Sequence, residues 1–186
     1  IHTFAPTPPP ARPPRLMSRG LQVDLGPFKH TIDDGLELRK AAFECMHTLL
    51  DGCFDQLELS TYFPCLLEGL RDDHDIKLIC HLILCKLAAA CSGSETIVAF
   101  LDSLADPLRA TICATLKDSA VKQQIDRQEE LVLSGLRAAR ALERMPEAQR
   151  SAKFGDFVRH TLRTGRLADR YATVCAEEEK SAETKS

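Results

Sequence analysis

Three cysteines and a histidine in the most apolar run of the chain could in principle bind zinc. Zinc prefers thiolate and imidazole ligands, but a structural site normally takes two of them from one tight turn. Here four and five residues separate successive cysteines within one predicted helix, so the ligands would not converge. Buried free thiols, which pack as small hydrophobes, explain the pattern better, and we predict no metal or cofactor. The residues are Cys80, His81, Cys85 and Cys91.

Cysteine nucleophiles are a second candidate chemistry. Cys45 and His47 are two residues apart, so they point to different sides of a helix and cannot form a thiol–imidazole pair. The sequence shows no nucleophile elbow, no phosphate-binding glycine-rich loop and no HExxH motif. We predict no enzymatic activity, and a thiol enzyme that uses Cys45, Cys53 or Cys113 stays open as an alternative.

Five aspartates could form a carboxylate cluster for acid–base catalysis. Each group of aspartates falls at a predicted helix start, where carboxylates cap backbone amides and interact favourably with the helix dipole. Capping is therefore the interpretation that we adopt. The residues are Asp33, Asp34, Asp72, Asp73 and Asp75.

Most of the chain has the apolar spacing of amphipathic helices. Ser60 is predicted to cap the second helix, and Asp106-Pro107 is predicted to separate the fourth helix from the fifth. Pro64 is acceptable only near the first turn of its helix. The predicted helices span about 35–50, 61–70, 75–90, 94–105, 107–116, 120–144, 147–162 and 167–176.

An internal repeat indicates the architecture. Residues 38–53 align with residues 76–91 at an offset of 38 residues, as expected for a HEAT or armadillo solenoid. The first helix is apolar on two sides, so we expect another element to stack before it. We interpret residues 21–176 as an all-α solenoid end-piece. A proline-rich disordered lead-in over residues 1–20, or a ligand for a proline-binding domain, precedes it, and a disordered charged tail over residues 177–186 follows.

One short β-hairpin is predicted at residues 21–33. Two alternating runs, 21–25 and 28–32, flank Gly26-Pro27. Two strands alone are only marginally stable, so the hairpin needs support from the helices or from a partner. It either closes the end of the helix stack or protrudes as a binding element with Phe28 near its tip.

Composition excludes several classes of protein. The chain has 186 residues, a formal net charge of −3 and no asparagine, and therefore no N-glycosylation sequon. A net negative charge does not attract nucleic acid, and the most apolar run, 78–91, is too short and too polar to span a bilayer. The eight cysteines lie mostly in apolar helical runs, and no signal-peptide pattern precedes them. We expect reduced thiols and a cytoplasmic and nuclear location.

Four segments resemble one family, the cullin-associated, neddylation-dissociated proteins, also called TATA-binding-protein-interacting proteins. They are VDLGPFKHTIDDGLELRKAAFECMHTLLDGC (23–53), LLEGLRDDHDIKL (66–78), DSLADPLRATICATLKDSAVKQQIDRQEEL (102–131) and ALERMPEAQRS (141–151). The resemblance covers about residues 21–171 and matches the C-terminal domain of that family.

The resemblance implies a HEAT-repeat α-solenoid end-piece with one short protruding β-hairpin near the N-terminus. Family members wrap around unneddylated cullin–RING ubiquitin ligases, and their hairpin occupies the surface used by the substrate-receptor adaptor. The implied function is exchange of substrate receptors without enzymatic chemistry. The implied partner is a cullin, with no nucleic acid, membrane or small-molecule substrate; the alternative is a transcription-linked scaffold that binds the TATA-binding protein. The implied partner-binding residues are Val23, Leu25, Gly26, Pro27, Phe28, Lys29, His30, Thr31 and Ile32.

Overall fold

The computed structural model describes the backbone of residues 20–25, 28–90 and 95–183, and the side chains of residues 33–90 and 96–180. The chain divides into two compact units, residues 1–39 and residues 40–186. The described residues of the second unit form helices and their connections. The all-α class is therefore confirmed for this unit. The predicted lead-in falls almost entirely outside the described residues, which begin at Gly20.

The first unit contains two antiparallel strands, β1 (Gly20–Leu25) and β2 (Phe28–Asp33). Gly26 and Pro27, the predicted turn, lie outside the described residues. The register pairs Leu21 with Ile32, Val23 with His30 and Leu25 with Phe28, and these pairs alternate with Gln22–Thr31 and Asp24–Lys29. Protrusion of this strand pair and its use as a binding element stay predictions.

The main helices follow in chain order. They are α1 (Leu36–Gly52), α2 (Leu59–Gly69), α3 (His74–Ala90), α4 (Glu95–Ile112), α5 (Lys122–Glu143), α6 (Ala152–Phe157) and α7 (Ala168–Glu183). Short 3₁₀ turns occupy Phe54–Gln56, Pro146–Gln149 and Gly165–Leu167. A π-helical segment, Val158–Leu162, continues α6.

The core of the second unit lies where α3 packs against α5 and α4 packs against α2, α5 and α6. The rings of Phe63 and Phe100 stack with their centroids 3.8 Å apart and join α2 to α4. Burial of each large apolar side chain stabilises the fold by about 1.5–3 kcal/mol. The fully buried side chains at the centre include Leu66, Ile76, Ile83, Leu84, Leu101, Leu104, Leu108 and Leu136.

Pro107 lies inside α4, although the sequence predicted that it would begin a new helix. This prediction is wrong, and packing explains why. A proline in a helix interior costs about 3 kcal/mol because one backbone hydrogen bond is lost. Leu104, Leu108 and Ile112, spaced four residues apart, are all buried only if the helix continues. Their combined burial outweighs the lost bond, since each contributes about 1.5–3 kcal/mol.

The start of α2 also differs from the prediction. The helix begins at Leu59 after Glu58, which makes no side-chain capping hydrogen bond, so Ser60 is not the N-cap. Pro64 is the sixth helical residue and lies beyond the first turn. The carbonyl that loses its amide donor four residues earlier belongs to Ser60, which is exposed, so water can satisfy it.

The C-terminal helices are more divided than the sequence indicated. Ser151 is the N-cap of α6, because its Oγ accepts from the Phe154 amide at 3.3 Å, and the same hydroxyl donates to Asp102 Oδ1 at 2.6 Å. The predicted disordered tail is corrected for residues 177–183, where α7 continues. Ion pairs from α5 to Glu177 (3.7 Å) and Glu179 (3.1 Å) hold this extension. Residues 184–186 lie outside the described residues.

Candidate partner-binding site

The predicted site residues lie on or between β1 and β2. The backbone register places Val23 opposite His30 and Leu25 opposite Phe28. The side chains of residues 20–32 lie outside the described residues, as do the two turn residues. The register covers the predicted residues of β1 and β2 alone, and their role in partner binding stays a prediction.

A bidentate ion pair anchors the end of β2 within the first unit. Arg39 Nη1 donates to Asp33 Oδ1 at 3.0 Å, and Nη2 donates to Asp33 Oδ2 at 2.8 Å. The Gly35 amide donates to the same Oδ1 at 3.1 Å. The hydrogen bond from Arg39 lowers the pKa of Asp33 below its ordinary value. Two parallel N–H···O bonds between opposite charges fix the relative orientation of the two side chains and add electrostatic attraction. The end of β2 is therefore attached to the start of α1.

This anchor was missed at the sequence level. Asp33 was assigned to helix capping, and its contact with the Gly35 amide fits that assignment in part. The larger interaction, with Arg39, connects residues six apart across a turn. Helical spacing rules do not apply across a turn, so only the turn geometry at Gly35 brings the two side chains together.

The other aspartates do not form a carboxylate cluster. Asp73 Oδ1 accepts from the Asp75 amide at 3.4 Å, as capping predicts. Asp75 also contacts Lys40 Nζ at 3.2 Å and His74 Nδ1 at 3.1 Å. The hydrogen bond with His74, followed by that with Lys40, lowers the pKa of Asp75. These contacts join α1 to α3, and His74 Nε2 lies 3.0 Å from the Arg127 carbonyl on α5.

The cysteines do not assemble into a metal or nucleophile site in the described part of the chain. Burial raises the pKa of Cys85 to about 11 and raises that of Cys80 further, which disfavours the reactive thiolate. His81 Nδ1 pairs with Ser134 Oγ at 2.6 Å instead of with a thiol. No three potential metal ligands converge among the described residues, and Cys91 lies outside them. The seven described cysteines are free thiols.

One face of α1 is apolar and open to solvent. Leu49 is 37 % exposed, and Ala42 and Cys45 on the same face are also exposed. The other face packs inward, with Leu50 buried and the Met46 carbonyl accepting from Tyr62 Oη at 3.0 Å. The sequence predicted apolar surface on two sides of this helix. In the structure the side with Leu50 is buried, and the side with Leu49 is exposed.

A groove of about 410 Å³ lies between α4, α5 and the α2–α3 connection. Buried Leu70, Pro107 and Leu131 line it together with the charged residues Arg71, Lys77 and Asp106. Gln128 spans α5 and α4, because its Nε2 donates to the Thr111 carbonyl at 3.1 Å. The lining residues are Leu70, Arg71, Lys77, Asp106, Pro107, Ala110, Thr111, Ala114, Gln128 and Leu131.

A polar cluster around Glu143 holds the C-terminal helices on α5. Its carboxylate accepts from Arg163 Nη2 at 2.6 Å, Tyr171 Oη at 2.9 Å and Arg140 Nη1 at 3.0 Å. Burial raises the pKa of Glu143, but the hydrogen bonds from Arg163, Tyr171 and Arg140 outweigh it and leave the pKa below its ordinary value. Helical spacing predicts the pair of Arg140 and Glu143, which are three residues apart on α5, but no spacing rule connects Glu143 with Arg163 and Tyr171.

Among the described residues, no helix has both the length and the apolar character needed to cross a membrane.

The packed helices and their open apolar faces define an all-α, HEAT-like helical protein. Residues 18–161 match the family model described as TATA-binding protein interacting (TIP20), so the chain belongs to the TIP120 family. The resemblance found in the sequence is therefore confirmed.

Several curated proteins are similar over most of this chain. Cullin-associated NEDD8-dissociated protein 1 of Dictyostelium discoideum is 42% identical over 161 residues, which cover 86% of this chain and 13% of that protein. The protein of the same name from Arabidopsis thaliana is 47% identical over 153 residues, covering 82% and 12%. Cullin-associated NEDD8-dissociated protein 2 of Rattus norvegicus is 43% identical over 136 residues, covering 73% and 10%. The chain thus spans about an eighth of the length of the first two relatives.

Proposed function

We propose that this chain is a non-enzymatic, cullin-binding part of an assembly factor for cullin–RING ubiquitin ligases. Membership of a family whose relatives are named cullin-associated carries the proposal. The partner is unneddylated cullin, and the result of binding is exchange of substrate receptors. We place this activity in the cytoplasm and the nucleus.

The binding element in this proposal is the strand pair of residues 20–33. Its end is anchored by the bidentate Asp33–Arg39 pair, which limits the conformations open to the following turn. A pre-organised element loses less conformational entropy when it binds, so more of the contact energy appears as affinity. The anchor therefore supports a role for the strand pair in recognition.

The proposed mechanism is competition. If the strand pair and the substrate-receptor adaptor use one cullin surface, each lowers the affinity of the cullin for the other by the same factor. Exchange follows from this reciprocity, and no bond is made or broken by the chain.

The exposed face of α1 supports the interpretation of this chain as part of a longer solenoid. An apolar helix face with Leu49 37 % exposed is suited to stacking of a preceding helical repeat. In this proposal the preceding repeats supply the remaining cullin contacts, so the isolated chain binds cullin more weakly than the complete protein.

Binding of the TATA-binding protein is the second candidate, and the description of the matching family favours it. The two candidates can be separated by gel filtration of the chain with each purified partner. Co-elution with unneddylated cullin, reduced by added adaptor, is the expected result. Formation of a stable complex of chain, cullin and adaptor would contradict competition, and retention of the TATA-binding protein alone would favour the second candidate.

A further inference from the structure

Three cations surround one carboxylate where α4 meets α6. Asp106 Oδ2 accepts a hydrogen bond from Lys153 Nζ at 3.0 Å, and Asp106 Oδ1 accepts one from Arg109 Nη1 at 3.3 Å. The hydrogen bond and the charge of Lys153 lower the pKa of Asp106, and the charges of two arginines, Arg109 and Arg71, lower this pKa further. We call Arg71, Asp106, Arg109 and Lys153 the cation cluster. With three cations and one carboxylate, it has a net charge of +2 in a chain whose formal net charge is −3.

The balance of charge is different in the polar cluster around Glu143. There two arginines meet two carboxylates, because Arg140 pairs with Glu179 at 3.1 Å as well as with Glu143. The three cations of the cation cluster form no ion pair with a second carboxylate among the described residues. The excess positive charge around Asp106 is therefore available to an anion from outside the chain.

Arg109 is held in place by contacts that involve no carboxylate. Its Nε donates to Thr161 Oγ1 at 3.4 Å, and its guanidinium carbon lies 5.5 Å from the centre of the ring of Phe157, which is fully buried. Its Nη2 has no hydrogen-bond partner among the described residues. A guanidinium that is already oriented loses less conformational entropy when it binds an anion, so this free donor is suited to recognition.

The net charge of the cation cluster indicates the class of anion. A phosphorylated side chain carries about −1.5 to −2 charges at pH 7 and has three strong acceptor oxygens, whereas a carboxylate carries a single charge. The phosphoryl group therefore matches the charge of +2 better. Clusters of arginines are a recurring means of recognising phosphorylated protein segments.

The surroundings of the cluster favour a protein segment over a free phosphate ion. The side chains of Lys153 and Asp106 are each 60 % exposed, and exposed ion pairs contribute little by themselves. Arg71 and Asp106 also line the groove between α4, α5 and the α2–α3 connection. Residues that flank a phosphorylated side chain thus have a concave surface to contact, which a free ion cannot use.

We propose that the cation cluster binds a phosphorylated serine or threonine in an extended segment of a second protein. Arg109 Nη2 and Lys153 Nζ donate to the phosphoryl oxygens, Arg71 adds positive charge, and the flanking residues lie in the groove. Asp106 opposes the charge of the ligand and so limits the affinity. The inference goes beyond the proposed function, because it requires neither the strand pair nor cullin.

Fluorescence polarisation of the whole chain with two labelled libraries of short peptides tests the inference. One library has a fixed central phosphoserine and mixed residues on both sides, and the other has serine at the centre. We expect the phosphoserine library to bind at least about tenfold more tightly, because charge-assisted hydrogen bonds to the phosphoryl oxygens are absent from the serine library.

Charge variants locate the site within the chain. Arg109→Gln and Lys153→Gln should each weaken binding of the phosphoserine library by about fivefold or more, because each removes a donor and a charge. Asp106→Asn should strengthen binding by about twofold or more, because it removes the opposing charge. Arg159→Gln is the matched control, with an effect below about twofold. It removes an exposed arginine that pairs with Asp156 at 3.4 Å outside the cluster.

Three results would overturn the inference. They are equal binding of the two libraries, an equal loss for Arg159→Gln and the cluster variants, and weaker binding by a folded Asp106→Asn chain. Displacement of the phosphoserine library by inorganic phosphate at the library's own apparent dissociation constant would overturn the assignment to a protein segment. Thermal unfolding checks each variant, and the exposed Lys153→Gln keeps the test decisive if loss of the Arg109 contact with Phe157 prevents folding. Cullin is absent from the test, so its outcome is independent of the proposed function.

Discussion

The absence of a side chain at Gly69 allows Phe43 to pack against the end of α2. A Cβ at Gly69 would lie 2.4 Å from Phe43 Cζ and 2.6 Å from Cys80 Sγ, which is too close for any contact between carbon or sulfur atoms. Gly69 is therefore the point at which α1, α2 and α3 meet.

Gly69→Ala should destabilise the chain by about 1–3 kcal/mol, because inserting a methyl group into a packed core forces neighbours to shift. Urea unfolding followed by circular dichroism measures the change. Gly52→Ala is the matched control, since nothing lies within 4 Å of a Cβ at that position. An unchanged urea midpoint for Gly69→Ala would contradict the packing described at this junction.

Glu143 should contribute stability that depends on its charge. Glu143→Gln keeps the shape but weakens three hydrogen bonds, so we expect a loss of about 1–3 kcal/mol at pH 7. Glu129→Gln is the control, because the Glu129–Arg170 pair is exposed, and exposed pairs contribute about 0–1 kcal/mol.

The pH dependence of the Glu143 contribution has a defined sign. The pKa of Glu143 is lowered in the folded chain, so its contribution is complete above the ordinary glutamate pKa and is lost as pH falls through the lowered value. The stability difference between Glu143→Gln and the unaltered chain should therefore shrink on acidification. A difference that grows as pH falls would argue against this charge assignment.

His81 should make the chain sensitive to moderate acid. Burial, followed by the charge of Lys77, lowers the pKa of His81 to about 4. Between the ordinary pKa of 6.5 and this value the unfolded chain binds a proton that the folded chain does not, so stability falls as pH falls. The total loss from this group is about 3 kcal/mol, at about 1.4 kcal/mol for each unit of pKa shift.

His81→Leu should reduce the slope of unfolding free energy against pH between 6.5 and 4, whereas His160→Leu, at an exposed site, should retain it. Chemical unfolding at half-unit pH intervals gives both slopes. Equal slopes for His81→Leu and the unaltered chain would contradict a buried, neutral imidazole beside Ser134.

Thiol labelling should separate the cysteines by burial. Cys45 is exposed on α1 and should react rapidly with a disulfide reagent, whereas Cys80, fully buried, should react only when the chain unfolds. Cys45→Ser should remove one fast-reacting thiol, and Cys80→Ser should remove none. Rapid reaction of Cys80 in the folded chain would contradict the packing of α3.

Local sequence patterns predicted the helical class and most helix positions, but long-range packing decided the exceptions. A proline after an aspartate normally marks a helix start, so the break at Pro107 was a reasonable local expectation. The burial of Leu108 and Ile112 against other helices overrides it, and that burial is visible only in three dimensions. The tail of α7 likewise lies beside distant residues, since Glu177 and Glu179 pair with Arg137 and Arg140, about 40 residues away in sequence.

The candidate site was only partly accessible from sequence. Alternation around Gly26-Pro27 indicated the strand pair, and the resemblance to a known family gave it a role. The groove could not be predicted, because its lining comes from α3, α4, α5 and the α2–α3 connection, whose relative positions no local pattern contains.

The central claim is that the strand pair binds unneddylated cullin. The most direct test is the dissociation constant of the cullin complex for the unaltered chain, Phe28→Ala and Leu82→Ala, which removes an exposed aliphatic side chain of α3 as a control. If Phe28 is an aromatic anchor, its removal should weaken binding by about thirtyfold or more, equivalent to at least about 2 kcal/mol, and Leu82→Ala should have little effect. Equal dissociation constants for Phe28→Ala and the unaltered chain, confirmed by deletion of residues 23–32, would contradict the claim.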